Sequence, residues 1–267
     1  MVRFSSAAWL AALPLCAVAA PPQYAVTDLG VQDTGEGLLW PAAGATSTCA
    51  PAPSNFPGLG GSSGSCIYAS NSVAYVGVST IPGGGAHAVR WIYTNGVVTV
   101  TDLGLLPNAM ANGTFPVSNA FSLNRVGGVV GQSATQYQSN APFESGFAAH
   151  GFLWNNGTLT DLGAIAGNNY SSSAEGVNDS DEVVGWTNTI SSANGQILTR
   201  AFVEEGETMY NLTFYLVGGP TVLLSEATAI DCQGNISAIG APASGDGGTH
   251  TYLLVRQGAA RTNCPAQ

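Results

Sequence analysis

The stretch HGFLWNNGTLTDLG (150–163) decides the fold, because it reads as two short strands joined by a tight turn. His150, Phe152 and Trp154 fall at i, i+2 and i+4, one face of a strand. Asn155, Asn156 and Gly157 have the composition of a hairpin turn, and TLTDLG continues as the returning strand. A relative of this stretch, HAVRWIYTNGVVTVTDLG, occupies 87–104. A third TDLG stands at 27–30 with no His-led stretch before it.

Upstream of each His-led strand lies another recurring element: a hydrophobe, Asn or Asp, a short turn, then a β-branched run ending in Gly or Ala. It occurs as ASNSVAYVG (69–77), LNRVGGVVG (123–131), VNDSDEVVG (177–185) and IDCQGNISA (230–238). The strands that follow are HAVRW (87–91), HGFLW (150–154), RAFVE (200–204) and HTYLL (250–254). Each repeat therefore predicts four short strands, a to d: one before the Asn, one after its turn, the His-led strand and the TDLG strand. In the third repeat the last strand is a degenerate MYNLTFYL (209–216), and the fourth repeat has none.

The lone YAVTDLG (24–30) supplies that missing strand. An all-β fold follows: a β-propeller of about four four-stranded antiparallel blades, the last closed by the N-terminal strand, which leaves no open sheet edge at the join. Residues 20–267 form a single domain, with 31–66 as an insertion loop.

Residues 1–19 read as a secretory signal peptide: Arg3, an apolar run, and the small-residue site Ala17, Val18, Ala19, too short for a membrane span. LPLC (13–16) hints at lipidation, but Leu15 is bulky where such signals take a small residue. The expected location is secreted, extracellular or periplasmic. Cleavage removes Cys16 and leaves Cys49, Cys66, Cys232 and Cys264, enough for two disulfides with three possible connectivities. Proximity favours Cys49–Cys66 and Cys232–Cys264.

Charge narrows the partners. Six Lys+Arg, all of them Arg, face 16 acidic residues, for a formal net charge of −10. Nucleic acid and anionic membranes need clustered positive charge and are excluded as expected partners. The absence of Lys removes Schiff-base and Lys-base mechanisms.

HAVRW with TDLG, HGFLWNNGTLTDLG, RAF and VNDSDEVVG together resemble the HAF-repeat extracellular proteins, named for His-Ala-Phe. The resemblance covers roughly 23–260, with departures at Arg200 and in the last repeat, which reads His-Thr-Tyr. It implies export and a propeller-like fold, and adds little about activity.

His87, His150 and His250 open strand c, about 10 Å from the innermost strand of a blade at ~4.8 Å per strand, so they cannot share one metal ion. They are read as structural, tied to backbone or to the TDLG aspartates. Asp28, Asp102 and Asp161 are read as capping turn N–H groups before Gly. Trp91 and Trp154 are read as core between blades. NDSDE (178–182) resembles half a calcium loop but lacks its Gly and distant Glu, and has the length of the other turns. GGSSG (60–64) matches G-x-S-x-G in letters only, since no strand and helix flank it. Glu204, Glu205 and Glu207 lie on or after a c strand and read as a solvated hairpin. No motif calls for a cofactor, and no catalytic set converges.

Three functions are weighed. The leading one is a secreted propeller that binds a ligand without catalysis, a glycan, another cell-surface polymer or an extracellular protein. The others are an extracellular structural or self-assembling subunit, and a propeller-type glycoside hydrolase or lyase. Long loops on a rigid scaffold commonly carry binding. The face that receives them also holds aromatics the repeats leave unexplained: Trp40, Phe56, Tyr137, Phe143, Tyr170 and Trp186. These are the expected ligand contacts, suited to stacking on sugar faces.

Overall fold

The computed structural model describes residues 20–31, 50–61, 65–71, 74–110, 115–218, 221–243, 248–259, 261 and 264. The predicted signal peptide, Trp40 and Cys49 lie outside them. Within them the chain is all-β, in four sheets.

The chain starts with β1 (Tyr24–Val31). The first sheet holds β2 (Ala50–Pro51), β3 (Ser65–Ser70), β4 (Ala74–Thr80), β5 (Ala86–Thr94) and β6 (Val97–Gly104) in that spatial order. The second holds β7 (Ser118–Leu123), β8 (Val129–Gln138), β9 (Phe147–Asn155) and β10 (Thr158–Gly163). The third holds β11 (Ser172–Val177), β12 (Val183–Ile190), β13 (Ile197–Glu205) and β14 (Thr208–Asn211). The fourth joins both ends of the chain, in the order β15 (Leu216–Val217), β1, β18 (His250–Arg256), β17 (Ile236–Pro242), β16 (Val222–Ile230). β1 runs antiparallel to β18, with Thr27 opposite Leu253, so the N-terminal TDLG strand completes the last repeat.

Two details depart from the predicted four-stranded pattern. Part of the expected insertion loop is strand: β2 pairs with β3, and Ser65 and Cys66 already belong to β3. The degenerate 209–216 is not one strand. β14 ends at Asn211, whose side chain accepts from Thr213 N and starts a 3-10 turn, Leu212–Tyr215. β15 then pairs in parallel with β1 in the next sheet. Leu212 is fully buried, so its packing redirects the chain.

The lead strands β3, β7, β11 and β16 each carry a bulge, whose extra residues are Tyr68, Phe121, Glu175 and Thr228. A bulge pushes the backbone toward its partner strand, and the repeat glycine leaves the room. A Cβ on Gly131 would lie 1.9 Å from Asn119 O, and one on Gly185 2.0 Å from Ser173 O. The fourth repeat has Ala238 at this place, and β16 carries a second bulge where Gly240 provides the clearance.

Apolar cores lie between consecutive sheets. Val76, Ala120, Val129 and Phe152 join the first and second; Val130, Ala174, Val183 and Phe202 join the second and third. Tyr24, Leu212, Leu224, Ile236, Tyr252 and Leu254 lie in the core between the third and fourth. Serines add polar links at the starts of lead strands. Ser172 Oγ accepts from Gly151 N at 2.9 Å and donates to Gly163 O at 2.5 Å, and Ser118 does the same for Ala88 and Gly104. Trp91 is fully buried and donates from Nε1 to Pro57 O at 2.8 Å, while Trp154 is half-buried with the Arg90 guanidinium 5.8 Å over its ring.

Cys232 and Cys264 form a disulfide, with Cα atoms 5.5 Å apart. Cys66 is also disulfide-bonded, and its predicted partner Cys49 lies outside the described residues. Cross-linking positions 32 residues apart removes about 3–4 kcal/mol of unfolded-chain entropy. The Cys232→Ala, Cys264→Ala double variant should lose about that much stability in a denaturant titration. A midpoint equal to the parent's would refute the assignment of that stability to the cross-link.

Candidate functional site

Each a–b turn begins with Asn or Asp: Asn71, Asn124, Asn178 and Asp231. The side-chain oxygen closes its own turn, as Asn178 Oδ1 does by accepting from Ser180 N and Glu182 N, and Asp231 Oδ1 by accepting from Asn235 N. The amide nitrogen reaches one repeat onward. Asn71 Nδ2 donates to Asn124 O at 3.0 Å, Asn124 Nδ2 to Asn178 O at 2.9 Å, and Asn178 Nδ2 to Asp231 O at 3.1 Å. One residue type thus fixes the turn and links neighbouring sheets; Asp231, a carboxylate, has no such donor.

These turns surround a cavity of about 660 Å³. Its floor includes Leu123, Val177 and Ile230, and its polar lining includes Arg125, Asp179, Asp231, Gln233 and Asn235 beside the Cys232–Cys264 disulfide. Beneath it a cavity of about 80 Å³ is lined by Ala69, Ser122, Gly176 and Ala229, one from each lead strand. At the rim Arg125 Nε donates to Asp179 Oδ2 at 2.7 Å, and Nη2 also pairs with that carboxylate. Behind Asn178, the buried Glu182 carboxylate pairs with Arg256 at 2.8 Å and with Arg261, while Gln233 and Arg261 exchange two hydrogen bonds. The C-terminal segment is thereby fastened to the cavity wall. The NDSDE oxygens are engaged in the same network, since Asp181 accepts from Asn124 and Asn155. The latter bond also brings the β9–β10 hairpin onto the face of the β11–β12 turn.

The repeat histidines lie elsewhere, on the TDLG aspartates. Nδ1 is 3.0 Å from Asp102 for His87, 2.7 Å from Asp161 for His150 and 2.9 Å from Asp28 for His250. Each aspartate also accepts from the glycine two residues on, at 2.8 Å in all three TDLG segments. The bond holds that glycine at positive φ, which explains the spacing of the motif.

The predicted aromatics that fall among the described residues do not line the 660 Å³ cavity. Tyr137 is half-buried and stacks on His150 with ring centres 5.6 Å apart. Phe143 is 65% exposed, whereas Tyr170 and Trp186 are half-buried, the latter on β12 between Ser173 and Ala201. Phe56 packs on Tyr75 and Trp91 and borders a third cavity of about 340 Å³. The turn residues of the larger cavity were visible in the sequence as turn chemistry only. Their signal was recurrence one repeat apart, which locates a common end of the sheets.

Two carboxyls on adjacent lead strands have altered acidity. Burial pushes Glu226 up to about 7, with the charge of Glu175 adding to the effect, and burial also raises Glu175, against the bond from Ser173. Tyr68 and Phe121, bulge residues like Glu175, make an edge-on contact at 5.1 Å. On β13, burial pushes Glu204 up to about 6. A raised carboxyl favours the folded state when protonated. Its stabilisation is complete below the ordinary value of 4.5 and is lost as pH rises through about 7. The melting temperature should therefore fall between pH 5 and pH 8, and Glu226→Gln should remove on the order of 2 kcal/mol of that dependence. An identical pH profile for parent and variant would rule Glu226 out as its source.

Comparison of the chain with protein-family models, with curated proteins and with solved structures finds no match.

Proposed function

We propose that this chain is an exported, HAF-repeat-like β-propeller that binds a glycan or another surface polymer at the turn-side cavity, without catalysis. The observation that carries this reading is the cavity itself. Its volume of about 660 Å³ falls within the ordinary range for ligand sites, and its lining comes from the same turn in all four sheets. Closure of the four sheets into a ring is supported by the fourth sheet, which joins the chain ends, and by two cavities that each touch all four sheets. Export is supported by the signal-like opening and by a disulfide of the kind that persists in oxidising compartments.

The test is a glycan array and a set of chromogenic glycosides, applied to protein starting at residue 20. Retention of a glycan without turnover is expected, weakened by Asp179→Ala, which breaks the rim pair with the half-exposed Arg125 at a cost of about 1 kcal/mol of stability. Retention that responds instead to Tyr137→Ala or Tyr170→Ala would move the site to the long-loop face. Turnover would replace binding by hydrolysis. A second reading, an assembling subunit, is favoured by β6, an outer strand with Val97 60% exposed and no charge before Asp102. Concentration-dependent growth in light scattering would select it.

A further inference from the structure

Resting on the glycan reading, we infer that the turn-side cavity takes an ammonium-bearing sugar in preference to a neutral or acidic one. The reason is the charge of its lining, together with the hydrogen bonds already made there. Asn124 Nδ2 spends its two hydrogens on Asn178 O and Asp181 Oδ1, each at 2.9 Å. Asn178 Nδ2 spends its two on Glu182 Oε2 and Asp231 O. Gln233 Nε2 is bonded to Arg261 O, Asn235 Nδ2 to Asp231 Oδ2, and Arg125 to Asp179.

Acceptor capacity remains. An ionised carboxylate accepts about four hydrogen bonds, and Asp231 is held by two neutral donors, both from Asn235. Its charge is therefore not offset by those contacts, whereas the charge of Asp179 is offset by Arg125. Among the described residues the cavity lining carries two carboxylates against one guanidinium, on a chain of formal net charge −10. An anion meets repulsion there, and a neutral hydroxyl can hydrogen-bond but gains no attraction from the excess carboxylate. An ammonium supplies three donors and the opposite charge. The aliphatic floor of Leu123, Val177 and Ile230 gives the apolar face of a sugar ring a surface to rest on.

The recurring Asn makes the test clean. Asp231→Asn removes the charge, keeps an oxygen for Asn235 N–H, and installs the residue that begins the other three turns, at the cost of the bond from Asn235 Nδ2. Calorimetric titrations of protein from residue 20 onward should use a β-1,4-linked glucosamine oligomer, its N-acetylated form and the neutral glucose oligomer. The free-amine oligomer should bind at least tenfold tighter than the other two, and more weakly as salt rises. Asp231→Asn should weaken it at least tenfold and still melt cooperatively, while Glu207→Gln, an exposed charge elsewhere, should leave it unchanged. Asp179→Asn provides a second charge-removing variant at the cavity, expected to weaken the same oligomer if Asp231→Asn disturbs folding. Equal binding of the amine and neutral oligomers overturns the ammonium preference and leaves the glycan reading standing. Absence of binding by all three overturns both. Amine binding indifferent to both Asp variants overturns the site.

Discussion

Deletion of residues 21–30 is expected to abolish cooperative folding. The segment carries most of β1, which lies between β15 and β18 in the fourth sheet. Its loss removes Tyr24, which is fully buried, and Val26 from the core shared with Leu254 and Leu212. Burial of those two side chains alone is worth roughly 4–5 kcal/mol, and the paired backbone with β18 goes with it. Domains of this kind have about 5–15 kcal/mol of total stability. The deletion also frees both β18 and β15, leaving hydrogen-bonding edges open to other chains. Circular dichroism melts should show no sharp transition, and sizing should show aggregate. Adding the missing segment as a free peptide should recover part of the transition, because β1 pairs with β18 more than 200 positions away and needs no covalent continuity with it. A deletion variant that melts like the parent would contradict the join of the two chain ends.

The second large effect is Gly131→Ala. One methyl group at this position would sit 1.9 Å from the Asn119 carbonyl oxygen and 2.9 Å from the Ala120 Cα, both backbone atoms that no side-chain rotation moves away. Relief requires the β7 bulge to flatten, which shifts Ala120 out of the core between the first and second sheets. The expected loss is about 3 kcal/mol, at the top of the usual range for overpacked cores. Gly157→Ala, where a Cβ meets nothing within 4 Å, should cost only the strain of its positive φ, about 1 kcal/mol. A pair of thermal melts separates the two. If both variants lose the same small amount, the glycine of the repeat is there for turn flexibility and the bulge explanation fails.

The sequence alone determined what short segments decide. Two-residue alternation, Asn-Gly turns and the recurring TDLG set the strands and their order within each repeat, since that chemistry is complete within about ten residues. It also determined that the N-terminal strand belongs with the C-terminal repeat, because one strand was in excess and another was missing. The pairing of Cys232 with Cys264 followed from proximity in the chain.

Tertiary structure decided the rest. The sheet switch at β15 depends on where Leu212 finds burial, which no local pattern in 209–216 encodes. Asn71, Asn124 and Asn178 were legible as turn residues, but their second bond is made 53 or 54 residues away, across neighbouring sheets. The raised acidity of Glu226 comes from burial and from Glu175 on an adjacent lead strand, both properties of the packed state. The candidate cavity belongs to the same class. Each repeat contributes one turn that is unremarkable by itself, and only their convergence creates a concave surface with two carboxylates and one guanidinium in its described lining.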